Sequence, residues 1–138
     1  MLPQPTAIFV YGTLKRGEVR EQCWPRPPIS VKPATVRGAL YDLGSYPALV
    51  TGDDAVAGEL WQIAPDDIEG TLVALDRVEG FAGTGDDLYR RVIVECQTTA
   101  GSTRAWTYKL ASAAMLHAAK RILPNDRGVC IWSRHSTS

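Results

Sequence analysis

"AIFVYGTL", Ala7 to Leu14, decides how the rest of the chain is read. From Ile8 to Tyr11 every residue is β-branched or aromatic, and the run stops at Gly12. Such a run reads as a buried first strand, and the glycine behind it opens a loop. Working outward, Gly17 to Pro33 carries Pro25, Pro27, Pro28 and Pro33, so little of it can enter a central strand or a helix interior. Three strand-like runs follow, "ATVRGALYDL" (34–43), "GSYPALV" (44–50) and "AVAGELWQI" (55–63), broken by Gly, Pro and Asp in the rhythm of antiparallel pairing. A later pair, "YRRVIVECQTT" (89–99) and "STRAWTYKL" (102–110), flanks Ala100 and Gly101 as a hairpin. The total is roughly six strands, more than a βαβ alternation supplies at this length.

Two helices complete the reading. The first runs from about Pro65 to Glu79, with Asp66 and Asp67 beside its positive end and Gly80 as its stop. The second is expected over "ASAAMLHAAKRIL", Ala111 to Leu123, ended by "PNDRG". At about 100° per residue, Ile68, Leu72, Leu75 and Glu79 share one face of the first helix. Glu69, Gly70, Asp76 and Arg77 occupy the other, as a solvated surface would. Phase therefore points Glu79 toward the core. Burial and the negative helix end both disfavour its charged form, which tunes it to exchange protons near neutral pH. If the last turn unwinds instead, the same carboxylate swings into solvent.

The loop "VYGTLKRG" places small or flexible residues after the first strand, so several backbone N–H groups can converge on an oxyanion or a carboxylate. The Gly12 to Gly17 spacing fits a nucleotide P-loop, but Glu18 and Val19 stand where that motif needs lysine and a hydroxyl. An acid there repels phosphate.

Together, "FVYGTLKRG", "GALYDLGSYPALV", "LDRVEGF" followed by "LYRRVIVE", and "AWTYKL" resemble the gamma-glutamylcyclotransferase-like superfamily, in particular its AIG2-like, gamma-glutamylamine cyclotransferase branch. The resemblance covers Ala7 to Leu110. It implies an α+β fold, a small mixed, mostly antiparallel β-barrel flanked by α-helices, forming one domain over residues 1–138. It also implies an enzyme that cyclises a γ-glutamyl group to 5-oxoproline and releases an amine. By motif, Glu79 is the catalytic acid/base. Tyr11, Gly12, Thr13 and Leu14 form the substrate loop, extending to Lys15 and Arg16, and Tyr108 closes the pocket. "FAGTGDD" (81–87) is longer than in compact relatives and falls at the pocket rim that the resemblance implies. Tyr41, Tyr46 and Tyr89 are further pocket candidates.

Composition agrees with a small-molecule partner. Fifteen Lys and Arg balance fifteen Asp and Glu, so no global field steers the chain toward nucleic acid or an anionic membrane. No segment approaches the roughly 20 apolar residues that span a bilayer, and the N-terminus lacks a basic leader, so a soluble, cytoplasmic monomer is expected. Three cysteines without C-x-x-C spacing, together with two isolated histidines, His117 and His135, argue for reduced thiols and against a metal site; no cofactor is expected. Two rival readings stay open. One is a cysteine hydrolase using Cys23 or Cys96 with His117, and the other is a binding module that holds a small molecule on the same barrel without turnover.

Overall fold

A computed structural model describes residues 4–81, 88–112, 116 and 119–132. Its strands are β1 (Ala7–Val10), β2 (Ser30–Asp42), β3 (Pro47–Gln62), β4 (Tyr89–Thr98), β5 (Gly101–Leu110), β6 (Lys120–Ile122) and β7 (Val129–Cys130). The helix α1 spans Ile68–Glu79, and a single 3₁₀ turn covers Glu21–Cys23. Strand order is β6-β2-β4-β5-β1-β3-β7, and the further pairing of β2 with β3 closes β2-β4-β5-β1-β3 into a barrel. Most pairs are antiparallel, while β1 with β5 and β3 with β7 are parallel, so the barrel is mixed. This is the α+β barrel that the motifs implied.

The apolar run of β1 is unbroken because both of its faces are covered. Phe9 and Tyr11 point into the barrel with Leu40, Leu49 and Val56. Ile8 and Val10 point outward, under Leu72 and Leu75 of α1. Fully burying such side chains stabilises the fold by about 1.5–3 kcal/mol each, and β1 supplies four buried residues in a row.

Three differences from the sequence reading have physical causes. The runs at 44–50 and 55–63 are one long strand, β3, because the register slips between Gly38 and Ala39 and the Gly52–Asp53 break is absorbed as a bulge rather than a turn. Pro33 lies inside β2, exposed, opposite Glu59. The second helix expected over Ala111 to Leu123 does not extend through Lys120–Ile122, which is strand β6, paired with Leu40, Tyr41 and Asp42. Residues 113–115, 117 and 118 of that expectation lie outside the described residues. The local helical propensity of "AAKRIL" yields there to a free edge of β2. One α-helix, rather than two, flanks the barrel among the described residues.

Candidate active site

Glu79 is the last residue of α1, and its turn is held rather than frayed. Gly80 adopts a left-handed conformation at φ 70° and donates its N–H to the Arg77 carbonyl at 3.3 Å, while Phe81 donates to Asp76 at 2.8 Å. That pair of hydrogen bonds is a Schellman-type stop, and it keeps the helical phase intact through residue 79. Glu79 consequently faces a pocket beside the loop after β1. It lines that pocket with Tyr11, Gly12, Thr13, Leu14, Tyr46, Pro47, Tyr89 and Tyr108. The cavity volume is about 30 Å³.

Burial pushes the Glu79 carboxyl up to about 7, against a smaller opposing pull from the Arg20 guanidinium. The carboxylate makes no hydrogen bond with the protein among the described residues. A desolvated, unpaired acid with this affinity holds and releases a proton near neutral pH.

The loop facing it is polarised along its backbone. The Gly12 carbonyl accepts the Lys15 N–H at 3.1 Å, and the Thr13 carbonyl accepts the Arg20 N–H at 2.8 Å. The Leu14 carbonyl accepts the Trp24 indole N–H at 2.9 Å. Among the described residues, the N–H groups of Gly12, Thr13 and Leu14 meet no acceptor. Three buried residues thus keep donors for an incoming anion. Only glycine fits at position 12, because a Cβ there would sit 2.6 Å from Pro47 Cγ and 2.7 Å from Cδ.

Lys15 and Arg16 have other engagements. The Lys15 ammonium donates to the Trp132 carbonyl at 2.8 Å, and the Arg16 guanidinium lies 5.4 Å over the Trp61 ring. Their side chains border a separate groove with Val31, Lys32 and Glu59. Trp61 in turn stacks on Trp24 with ring centroids 4.0 Å apart, which pins the proline-rich excursion against the loop.

The tyrosines are tied down. Tyr11 donates its hydroxyl proton to the Tyr108 carbonyl and accepts the Leu49 N–H at 3.3 Å. Tyr89 donates to the Pro47 carbonyl, and Tyr108 donates to Asp76 Oδ1 at 2.7 Å. Tyr46 and Tyr89 therefore belong to the pocket, whereas Tyr41 sits on β2 between β3 and β6. Asp76 corrects the reading of α1. It is half-buried, accepts the hydrogen bond of the Tyr108 hydroxyl, and pairs with Arg91 at 3.0 Å, itself 4.6 Å from the Trp106 ring. The i, i+3 spacing of Asp76 and Glu79, with a buried tyrosine needing a partner, is the signal that would have found it.

Of the rival nucleophiles, Cys96 is fully buried and its thiol is pushed up to about 12 by desolvation, which keeps it protonated. His117 and His135 lie outside the described residues, as does most of the 81–87 loop. Among the described residues no group of three or more His, Cys, Asp or Glu side chains could hold a metal ion, and no helix is long and apolar enough to cross a membrane.

Barrel, loop and inward glutamate together define a class. The family model for gamma-glutamyl cyclotransferase, AIG2-like proteins matches residues 8–127, and the chain belongs to that family. It is 33% identical over 104 residues to gamma-L-glutamyl-butirosin B gamma-glutamyl cyclotransferase of Niallia circulans, covering 73% of this chain and 64% of that protein. The chain thus spans just under two thirds of the length of that relative. It is 36% identical over 114 residues to a Vibrio cholerae protein named for gamma-glutamylcyclotransferase, covering 80% of this chain and 86% of the other. Among solved structures, an AIG2-like protein of Mus musculus superposes with a TM-score of 0.63 over 98% of this chain and 100% of its own, at 20% identity, a likeness of fold. An Arabidopsis thaliana protein solved in solution superposes with a TM-score of 0.60 at 26% identity, over 80% of this chain and 64% of its own.

Proposed function

We propose that this protein cyclises the γ-glutamyl group of a γ-glutamyl amine to 5-oxoproline and releases the amine, with Glu79 as the general acid/base. The observation that carries this is the Glu79 carboxyl, raised to about 7 by burial and without a hydrogen bond among the described residues, in one pocket with Gly12 to Leu14, whose N–H groups meet no acceptor among those residues. The substrate provides its own nucleophile. Its α-nitrogen attacks the γ-carbonyl carbon, a five-membered ring closes, and the amide C–N bond breaks. Glu79 takes a proton from the attacking nitrogen and returns it to the leaving nitrogen, so no water is consumed and no covalent enzyme intermediate forms.

Holding amine and carbonyl in attack geometry accounts for much of such a rate, since well-oriented intramolecular reactions reach effective molarities of about 10⁵–10⁸ M. The carboxylate adds typically about 10²–10⁴-fold. The Gly12 to Leu14 donors would receive the oxyanion as it develops. This chemistry asks for neither a metal nor an organic cofactor. Tyr11 and Tyr108 build the wall of the pocket, and Lys15 and Arg16 brace the loop from outside. The Niallia relative is named for a γ-glutamyl substrate, gamma-L-glutamyl-butirosin B. Both relatives are named for a γ-glutamyl group, which is the element this reading carries over.

The test is a panel of γ-glutamyl amines incubated with the purified protein, with 5-oxoproline read by mass spectrometry and Glu79→Gln as control. Release of 5-oxoproline by the wild type and its loss in the variant is the expected result. Binding of a panel member without any 5-oxoproline would instead favour a binding module on the same barrel.

A further inference from the structure

Lys15 joins the loop after β1 to a segment more than a hundred residues away. Its N–H bonds the Gly12 carbonyl at 3.1 Å, which closes the tight turn that carries Gly12, Thr13 and Leu14. A trans peptide is planar, so the Gly12 carbonyl and the Thr13 N–H point in opposite directions from one rigid unit. Whatever fixes Lys15 therefore fixes the line of the Thr13 N–H. The Lys15 side chain is held in turn, because its ammonium donates to the Trp132 carbonyl at 2.8 Å. Among the described residues that ammonium forms no ion pair. It borders the outer groove with Ile131, whereas the pocket of Glu79 is lined only as far as Leu14.

Trp132 is a firm anchor for such a bond. It is 2% exposed and sits in the barrel core with Phe9, Tyr11 and Cys130. Just ahead of it, Val129 and Cys130 pair in parallel with Ala55 and Val56 as β7. Asn125 builds the turn that aims this strand, since its Oδ1 accepts the N–H groups of Arg127 at 2.9 Å and Val129 at 3.3 Å. The strap lies past Leu110, outside the stretch that carries the site motifs. The neighbouring carbonyls are held differently. Arg20 bonds that of Thr13 and Trp24 that of Leu14, both from the excursion that directly follows the loop. The Gly12–Thr13 peptide is thus the one that depends on Lys15.

We infer that Lys15 and Trp132 are positioning residues for the reaction: the C-terminal strap, through the Trp132 carbonyl and the Lys15 ammonium, sets the turn whose N–H groups receive the developing oxyanion. This rests on the γ-glutamyl reading of the pocket. Lys15 touches no substrate and acts through the backbone of Gly12 and Thr13. Methionine at position 15 would keep most of the apolar stem and lose the donors, leaving the strap packed and the turn unsupported.

The experiment measures kcat and KM for 5-oxoproline release, together with amide hydrogen exchange over residues 11–20, in wild type, Lys15→Met, Lys15→Arg, a chain ending at Ile131, and that chain carrying Lys15→Met. In Lys15→Met, kcat should fall about tenfold with KM changed by no more than about twofold, the mark of a misaligned donor rather than a lost substrate contact. Exchange over 11–20 should quicken while the β4–β5 hairpin keeps its wild-type rate. Lys15→Arg should recover most of both, since a guanidinium also donates to a carbonyl. Lys15→Met should cost the shortened chain nothing further, because both changes remove the same bond. A raised KM at unchanged kcat, losses that multiply, or an arginine no better than methionine overturns the inference. Should melting show the shortened chain unfolded, the Met and Arg comparison decides alone. If the wild type releases 5-oxoproline and Lys15→Met matches it in rate and exchange, this inference falls and the reaction stands. If no panel member yields 5-oxoproline, the reaction falls, and exchange decides the strap: quickened by methionine and restored by arginine it holds, unchanged it does not.

Discussion

Replacing Glu79 by glutamine keeps the side chain's size and removes its proton exchange, so 5-oxoproline release should fall by about 10²-fold or more with the fold retained. In the wild type, kcat/KM should decline as pH drops through about 7, where the carboxyl protonates and ceases to be a base. The same group links pH to stability with a definite sign. Its folded pKa lies above the unfolded value of about 4.3, so its favourable contribution is complete at low pH and is lost as pH rises through about 7. Glutamine at this position does not ionise. The melting temperature of Glu79→Gln relative to wild type should therefore be higher at pH 8.5 than at pH 5, and a difference independent of pH would contradict a buried carboxyl. Gly12→Ala tests the opposite wall, because its Cβ would overlap the Pro47 ring at 2.6 Å. Overpacking of this kind costs about 1–3 kcal/mol, and moving the loop from Pro47 should lower kcat/KM beyond what the melting change accounts for.

At the scale of elements, α1 acts as the arm that presents the acid. Its buried side, Thr71, Leu72 and Leu75, anchors it on the barrel, and Gly80 ends it one residue after Glu79. Gly80→Ala puts a Cβ at φ 70°, a conformation that costs an L-residue about 1–2 kcal/mol. The melting temperature should fall by a few degrees. Because unwinding would reach Glu79 first, turnover should drop further than in an equally destabilised variant remote from the helix end. If activity instead tracks stability alone, the cap has no part in aiming the carboxylate. The β4–β5 hairpin complements the arm, since Tyr89 bonds Pro47 of the pocket wall and Tyr108 bonds Asp76 of α1.

For the whole molecule, closure of the barrel is what buries both faces of β1 and encloses the thiols. Cys96 and Cys130 are fully buried, whereas Cys23 is part-exposed beside the 3₁₀ turn. Under native conditions a thiol reagent such as Ellman's should modify Cys23 and leave the other two until denaturant opens the barrel. Two or three rapidly reacting thiols in the folded protein would show that the seam between β2 and β3 opens locally.

Periodicity made α1 and the inward phase of Glu79 legible, and the β-branched run made β1 legible, because both depend on local patterns that packing then reinforced. The β4–β5 hairpin was equally plain from Gly101, whose φ of 118° favours glycine. Asp76 was misread as surface, since helical phase cannot register that an Arg91–Trp106 pair from other strands covers that face. The strand at Lys120–Ile122 was misread as helix, because its partner is an edge of β2 some eighty residues away. By itself the sequence determined which segments are apolar, where the chain turns, and which acid sits out of phase with its neighbours. Only the tertiary structure decided that this acid meets the loop after β1, that three pocket tyrosines find their hydrogen-bond acceptors, and that β2 closes on β3. Those are properties of groups distant in sequence, and long-range pairing and desolvation exist only once the barrel has formed.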